Sequence, residues 1–320
     1  MPATTKFSIK LGRATREAYG DALLALGEAN RDIVAIDADL AKSTYSWTFG
    51  KRFPERFFNI GIQEANMVGV ASGLASSGKI PFISSFAVFV LCKGFDQLRM
   101  GAAYPHLNVK VVGSHGGISI GEDGVSQQSV EDIALACALP GFVVCIPADE
   151  HAMAAAVHAA AAHDGPVYLR LGRPKAPIVH DSAVELTFGR AIQLRDGDAL
   201  TIVANGLLVA QALLAANELA DRGIEARVLD VHTVKPLDHD ALERAARDTG
   251  AFVVAEEHMH HGGLGSAVAQ SIAMRVPARI EYVDLGDRYA ESGKPEDLMK
   301  KYGMTAQAII SAAERVLARG

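Results

Sequence analysis

The sequence is poor in aromatic residues and nearly lacks cysteine: 6% of its 320 residues are Phe, Trp or Tyr, and only three are Cys. Cys92, Cys137 and Cys145 are odd in number, fall inside apolar segments and make no CxxC pair, so they are read as small core residues. No apolar run reaches the roughly 18 residues needed to cross a bilayer. The opening MPATTKFSIKLGRATREAYG lacks the apolar centre of a signal peptide. A cytoplasmic chain without a membrane partner is the expectation. The net charge is −6 with no basic run, so the electrostatic footprint of a nucleic-acid binder is missing. Scarce aromatics and alanine-rich stretches such as EHAMAAAVHAAAAHDG suit packed helices better than a base-stacking platform. There is no GxGxxG and no internal repeat, which removes a dinucleotide fingerprint and a solenoid.

What is present is 49% hydrophobic and 21% charged residues, evenly spread, the balance of a globular protein with large buried surfaces. A chain of 320 residues exceeds one ordinary core, so two domains are expected. Helical patterns such as TREAYGDALLALGEANRD alternate with β-branched runs such as DIVAID, KIPFISSF, NVKVVG and PVYLRL, which predicts an α/β fold in both domains. Prolines and polar residues interrupt the rhythm in RPKAPIVHDSAVELTFGRAIQLRDGD. The linker is accordingly placed at 181–194, between a domain of residues 1–180 and one of residues 195–320.

In parallel sheets, ligands collect beyond the carboxyl ends of the strands. Four segments follow strands there: DADLAKST, SHGGISIGEDGVSQQS, GRPKAP and EHMHHGGLGS. A further residue stands out in FFNIGIQEANMVGVASGLASSGKIPFISSF, where Glu64 is the one acid. At a helix start the macrodipole alone would stabilise such a carboxylate. Its apolar flanks would instead desolvate it and favour the proton-bearing form. His115, Glu122 and Asp123 share a long glycine-rich loop that reads either as a surface turn or as a functional loop leading into a helix capped by Ser126 or Ser129. Arg170, Arg173 and Lys175 either hold a phosphate or coat the surface. The group His258, His260 and His261 has no acidic or cysteine partner at metal spacing, so it is read as an exposed loop and no metal site is assigned to this chain. Gly262, Gly263 and Gly265 precede a helix and form either an anion-accepting turn or a plain helix start.

Taken in order, ATREAYGDAL, DADLAKST, NIGIQEANMVGVASGLA, SSFAVF, SHGGISIGEDGVSQQSVEDIA and EEHMHHGGLGSAVA resemble the carboxyl-terminal half of transketolase over essentially the whole chain. The resemblance implies a pyrimidine-binding domain of thiamine diphosphate enzymes followed by a transketolase carboxyl-terminal α/β domain, the small subunit of a split transketolase. It implies that Glu64 hydrogen-bonds the aminopyrimidine ring of thiamine diphosphate and so supports removal of the thiazolium proton. Phe86 and Phe89 correspond to aromatics packed on that ring, and Asp39 to an acid near the cofactor. His115 and Asp123 match residues facing the substrate, with His115 also a catalytic candidate, and Arg16 and Arg173 match arginines that hold a substrate phosphate.

Two departures from the family pattern carry consequences. Gln127 stands where the family usually has histidine, and glutamine can hydrogen-bond a sugar hydroxyl but cannot carry charge. The family's GDG motif with its downstream Asn, which holds the diphosphate through a divalent metal, is missing. A partner is therefore expected: an amino-terminal transketolase subunit carrying that motif and binding Mg2+, in a heterotetramer, with self-association of this chain also expected. The implied reaction moves a two-carbon ketol unit from a ketose, phosphorylated by the implication of the arginines, to an aldose. Alternatives are the beta subunit of a 2-oxo acid dehydrogenase's decarboxylating component, a deoxyxylulose phosphate synthase fragment, and a non-catalytic binding or regulatory relative. Nothing in the sequence names the sugar.

Overall fold

A computed structural model describes residues 6–319; residues 1–5 of the first expected domain and residue 320 of the second lie outside the described part. The first sheet has seven strands, in the spatial order Thr233–Lys235, Val143–Cys145, Val167–Arg170, Lys110–Ser114, Ile80–Phe86, Ile33–Asp37 and Phe57–Asn59. Six run parallel, and Thr233–Lys235 pairs antiparallel at one edge. Ile33–Asp37 and Lys110–Ser114 are buried at every residue, as strands of a parallel sheet covered on both faces should be. Helices Thr15–Ala29 and Glu150–Ala162 cover one face, where Tyr19, Leu23, Met153 and Val157 pack on Phe82 and Val112. On the other face Glu64–Ser76 and Ala87–Gln97 bring Met67, Val68 and Leu91 onto Ile83 and Val111.

The second sheet has five strands, ordered Arg279–Val283, Ala251–Ala255, Leu200–Ala204, Ala226–Asp230 and Ile192–Arg195, the last antiparallel. Helices Leu208–Ala220 and Ala306–Leu317 lie in one core with this sheet. His239–Thr249 and Leu264–Arg275 flank the other side, where Phe252, Val254 and Val268 join the same apolar cluster as Ile83 and Val111. The two sheets thus share a continuous apolar core.

Several sequence expectations need correction. The polar, proline-containing run 173–198 is not wholly irregular: it holds two short strands, Lys175–Pro177 and Ile192–Arg195, and the first forms a small ribbon with Leu11–Ala14. Neither Ser126 nor Ser129 caps a helix: the helix begins only at Asp132, and Ser129 instead bridges to Gly116 and Gly117. Cys92 is exposed on its helix, while Cys137 is partly and Cys145 fully buried. No described helix is long and apolar enough to cross a membrane.

Candidate active site

The parallel strands deliver chemical groups to one edge of the first sheet. Register places Asp37 beside both Ser84 and Asn59, and Phe86 beside Ser114, so the segments after four adjacent strands converge. Beyond Asn59 the chain turns at Gly61, whose φ is 76°, and Glu64 opens the next helix. Its side chain is only 3% exposed. Glu64 Oε1 lies 3.5 Å from the Ser85 hydroxyl and Oε2 lies 3.4 Å from Lys93 Nζ. The helix Ala87–Gln97 starts directly at the end of its strand, which puts Phe86, Phe89 and Lys93 on neighbouring turns. Phe86 and Phe89 stack with centroids 5.6 Å apart, and Phe86 stacks on the His115 ring at 3.9 Å. Lys93 Nζ sits 4.2 Å from the centre of Phe89. The apolar flanks in the sequence concealed this ammonium; its only signal was a lysine four residues after Phe89 in CKGFDQ.

His115 is 3% exposed and adopts a left-handed backbone, φ 61°. Its Nε2 lies 3.3 Å from an Arg16 guanidinium nitrogen, and its Nδ1 lies 2.8 Å from the Ser114 hydroxyl. Arginine can only donate, so Nε2 accepts and the ring proton resides on Nδ1. Burial depresses the imidazole to about 3, with the charges of Arg16 and Arg173 adding to the effect. His115 is therefore a neutral ring near pH 7, a hydrogen-bonding wall rather than a proton donor. Arg16, in the first turn of its helix, also donates to the Ser43 carbonyl at 3.0 Å. Arg173 is partly exposed; it donates to the Ile120 carbonyl and pairs with Glu122 at 3.2 Å.

Other expected residues stand apart from this group. Asp39 is exposed, left-handed at φ 66°, and accepts from the Asn59 amide at 3.3 Å. The buried acid nearby is Asp37, which accepts from the Leu40 N–H at 2.6 Å and from the Thr44 and Ser46 hydroxyls, each at 2.8 Å. Burial outweighs those bonds and raises its carboxyl to about 6. Asp123 is exposed and Gln127 half-buried, with the Gln127 N–H bonded to the Gly124 carbonyl at 3.1 Å. No hydrogen bond or ion pair joins either to His115 among the described residues.

Arg170 neither coats the surface nor faces solvent. Its guanidinium lies 2.9 Å from the buried Asp132 carboxylate and donates to the Ser129 and Glu257 carbonyls at 2.8 and 3.0 Å. Glu257, from the second domain, accepts the Ser119 N–H of the glycine-rich loop. His258 is fully buried, which corrects the exposed-loop reading: it hydrogen-bonds the Met259 carbonyl at 2.8 Å and accepts from the Ala134 N–H. The helix start after Gly263 is already filled by this chain's own Glu256, which accepts the Leu264 and Gly265 N–H groups at 2.7 Å each. Among the described residues no group of three or more His, Cys, Asp or Glu side chains could hold a metal ion.

Residues 12–178 match the family described as "Transketolase, pyrimidine binding domain", and residues 189–309 match "Transketolase, C-terminal domain". The chain is 43% identical over 314 residues to a 6-deoxy-6-sulfo-D-fructose transketolase subunit SqwH of Clostridium sp. strain MSTE9, covering 98% of each chain. It is 37% identical to human transketolase, aligning along all of its own length but with only 51% of the human chain. A solved structure titled "Split gene transketolase, inactive beta4 tetramer" superposes with a TM-score of 0.90 at 46% identity, covering 96% of this chain and 99% of that one.

Proposed function

The chain belongs to the transketolase family, and on that premise we propose that it is the small subunit of a split, thiamine diphosphate-dependent transketolase. The reaction is transfer of a two-carbon ketol unit from a ketose with an anionic terminus to an aldose. Activity requires an amino-terminal partner subunit whose GDG and Asn motif holds the diphosphate and Mg2+. The observation that carries this reading is the succession Glu64, Phe89, Phe86 and His115 at the carboxyl edge of the first sheet. A nearly buried carboxyl with no backbone donor, beside a flat aromatic face, fits a protonated ring nitrogen and its ring.

Thiamine diphosphate, when bound, supplies the carbon nucleophile that breaks and remakes a bond next to a carbonyl. Glu64 holds the aminopyrimidine by a hydrogen bond and shares its proton there. Phe86 and Phe89 keep the ring flat against the sheet edge and exclude water, with Asp39 near the cofactor at the neighbouring strand end. Arg16 and Arg173 hold the anionic end of the sugar, where a planar guanidinium suits phosphate and sulfonate oxygens alike. The neutral His115 accepts from Arg16 and fixes that arginine beside the substrate. Asp123 and Gln127 are assigned to sugar hydroxyls once the partner closes over the loop. The domains are proposed as residues 1–180 and 195–320 about a linker at 181–194, in a cytoplasmic heterotetramer. Self-association of the chain alone is proposed by analogy with the relative titled as a beta4 tetramer.

Calorimetric titration of thiamine diphosphate with Mg2+ into the chain alone and into its mixture with the candidate partner tests the reading. Binding only by the mixture, with turnover abolished by Glu64→Gln, is the expected result. A mixture that assembles but binds no cofactor would overturn it. Donor ketoses carrying a 6-phosphate or a 6-sulfonate then separate the two anions, the second prompted by the substrate named for the clostridial relative.

A further inference from the structure

We propose that Lys93 is a displaceable counter-ion of the cofactor site: it neutralises Glu64 and covers Phe89 in the subunit without cofactor, and leaves both when the aminopyrimidine arrives. The proposal rests on the roles assigned above to Glu64 and Phe89. A single ammonium makes both contacts, 3.4 Å from Glu64 Oε2 and 4.2 Å from the centre of the Phe89 ring.

These are the two surfaces an aminopyrimidine needs. An aromatic ring stacked on Phe89 would lie about 3.5–4.0 Å from its face, the space the ammonium fills. A ring nitrogen that takes up one proton from solvent as it binds, and donates it to Glu64, competes for the same carboxylate. The side chains differ in how easily they give way. Glu64 is 3% exposed and fixed at a helix start, whereas Lys93 is 49% exposed and can swing into water on its flexible stem. A buried carboxylate is costly without a partner, so the exchange is one donor for another and leaves no unpaired charge. Phe86 does not move in this exchange, because its other neighbour, His115, is held by Ser114 and Arg16.

Lys93 therefore opposes cofactor binding by the strength of the contacts it gives up. A half-exposed ion pair and a partly exposed cation–π contact together are worth about three- to tenfold in an equilibrium constant. Titration of thiamine diphosphate with Mg2+ into the complex with the amino-terminal partner should show Lys93→Ala binding about three- to tenfold tighter than wild type, with Lys93→Arg within about twofold of it. Weaker binding by Lys93→Ala would make Lys93 a cofactor ligand, and unchanged binding would make it a bystander; either overturns the proposal.

Independently of activity, reductive 13C-methylation gives Lys93 its own NMR signal in the subunit alone. That signal should move toward the position of a solvent-exposed lysine in Glu64→Gln, and do the same in the wild-type complex when cofactor is added. A Lys93 signal indifferent to Glu64→Gln overturns the pairing. Cofactor binding that leaves the signal in place overturns the displacement while the transketolase reading stands. A wild-type complex that binds no cofactor removes the reading itself and the proposal with it.

Discussion

Asp132→Asn and Arg170→Met, singly and together, probe a buried ion pair of the first domain whose arginine also reaches the second domain through the Glu257 carbonyl. Asp132 is 0% and Arg170 5% exposed at a separation of 2.9 Å, and Tyr168 donates to the same Asp132 oxygen at 2.6 Å. Burial works against the guanidinium's charge, but Asp132, then Glu257 and Tyr168, more than offset it, so Arg170 is held charged. Removing one partner of such a pair costs about 3–5 kcal/mol because the other charge is left buried. Asp132→Asn keeps an acceptor for Tyr168 but strands the guanidinium. Arg170→Met fills the volume but strands the carboxylate and frees the Ser129 and Glu257 carbonyls. The double variant buries neither charge, so its cost should fall short of the sum of the singles by about 2–3 kcal/mol. With a urea slope of about 3 kcal/mol/M for a chain of this size, each single change should lower the unfolding midpoint by about 1–1.7 M. Equilibrium urea unfolding followed by circular dichroism at pH 7.5 reads this directly. Strict additivity of the two changes, or a loss below about 1 kcal/mol for Asp132→Asn, would refute the view that the pair compensates itself.

Three further outcomes follow from the site. The folded chain keeps His115 neutral down to about 3, while an unfolded histidine titrates near 6.5, so stability is lost as pH falls through that window. His115→Asn, which tolerates the left-handed backbone, should lose about 1 kcal/mol less than wild type between pH 7 and 5.5, measured by urea midpoints. A side chain at Gly73 meets nothing within 4 Å, so Gly73→Gln, a better helix former at an open position, should stabilise the isolated chain by about 0.5–1 kcal/mol, measured by urea midpoints. Arg173→Met should raise KM for an anion-ended donor about 10- to 100-fold while leaving thiamine diphosphate affinity unchanged, a split that steady-state kinetics and calorimetry report separately.

The alternation of strands and helices was legible because buried parallel strands and the helices over them write their burial locally, as in DIVAID and TREAYGDALLALGEANRD. Short strands were not, because KAP, IQLR and TVK pair with distant segments and carry no apolar period of their own. Glu64 was legible as a lone acid in an apolar run, and its helix began where the pattern put it. Lys93 was hidden because its meeting with Glu64 depends on how two helices pack across a strand. Strand register separates Asp37 from Asp39: the first closes a strand and turns inward, and the second lies two residues on in a left-handed turn. Arg170 and Arg173 divide in the same way, one ending a buried strand and the other standing in the loop beyond.

The second domain contributes no residue to the proposed site, yet it shapes the loop that carries His115, Asp123 and Gln127. Glu257 accepts the Ser119 N–H, and the Met259 N–H bonds the Val130 carbonyl at 2.8 Å. A Cβ at Gly117 would lie 2.2 Å from the Glu257 carboxyl, at Gly121 2.8 Å from Pro295, and at Gly124 2.3 Å from the Ser292 hydroxyl. All three glycines have left-handed φ, so the loop's turns are set by backbone geometry and then pressed against the second domain. His115 is fixed from one side by Arg16 and Ser114, and the chain just beyond it is fixed from the other by Glu257. Arg170, bonded to both Ser129 and the Glu257 carbonyl, closes the far end of the same loop. The carboxyl-terminal domain is thus the support that holds the glycine-rich loop at the edge of the first sheet, and the shared apolar core makes that support rigid.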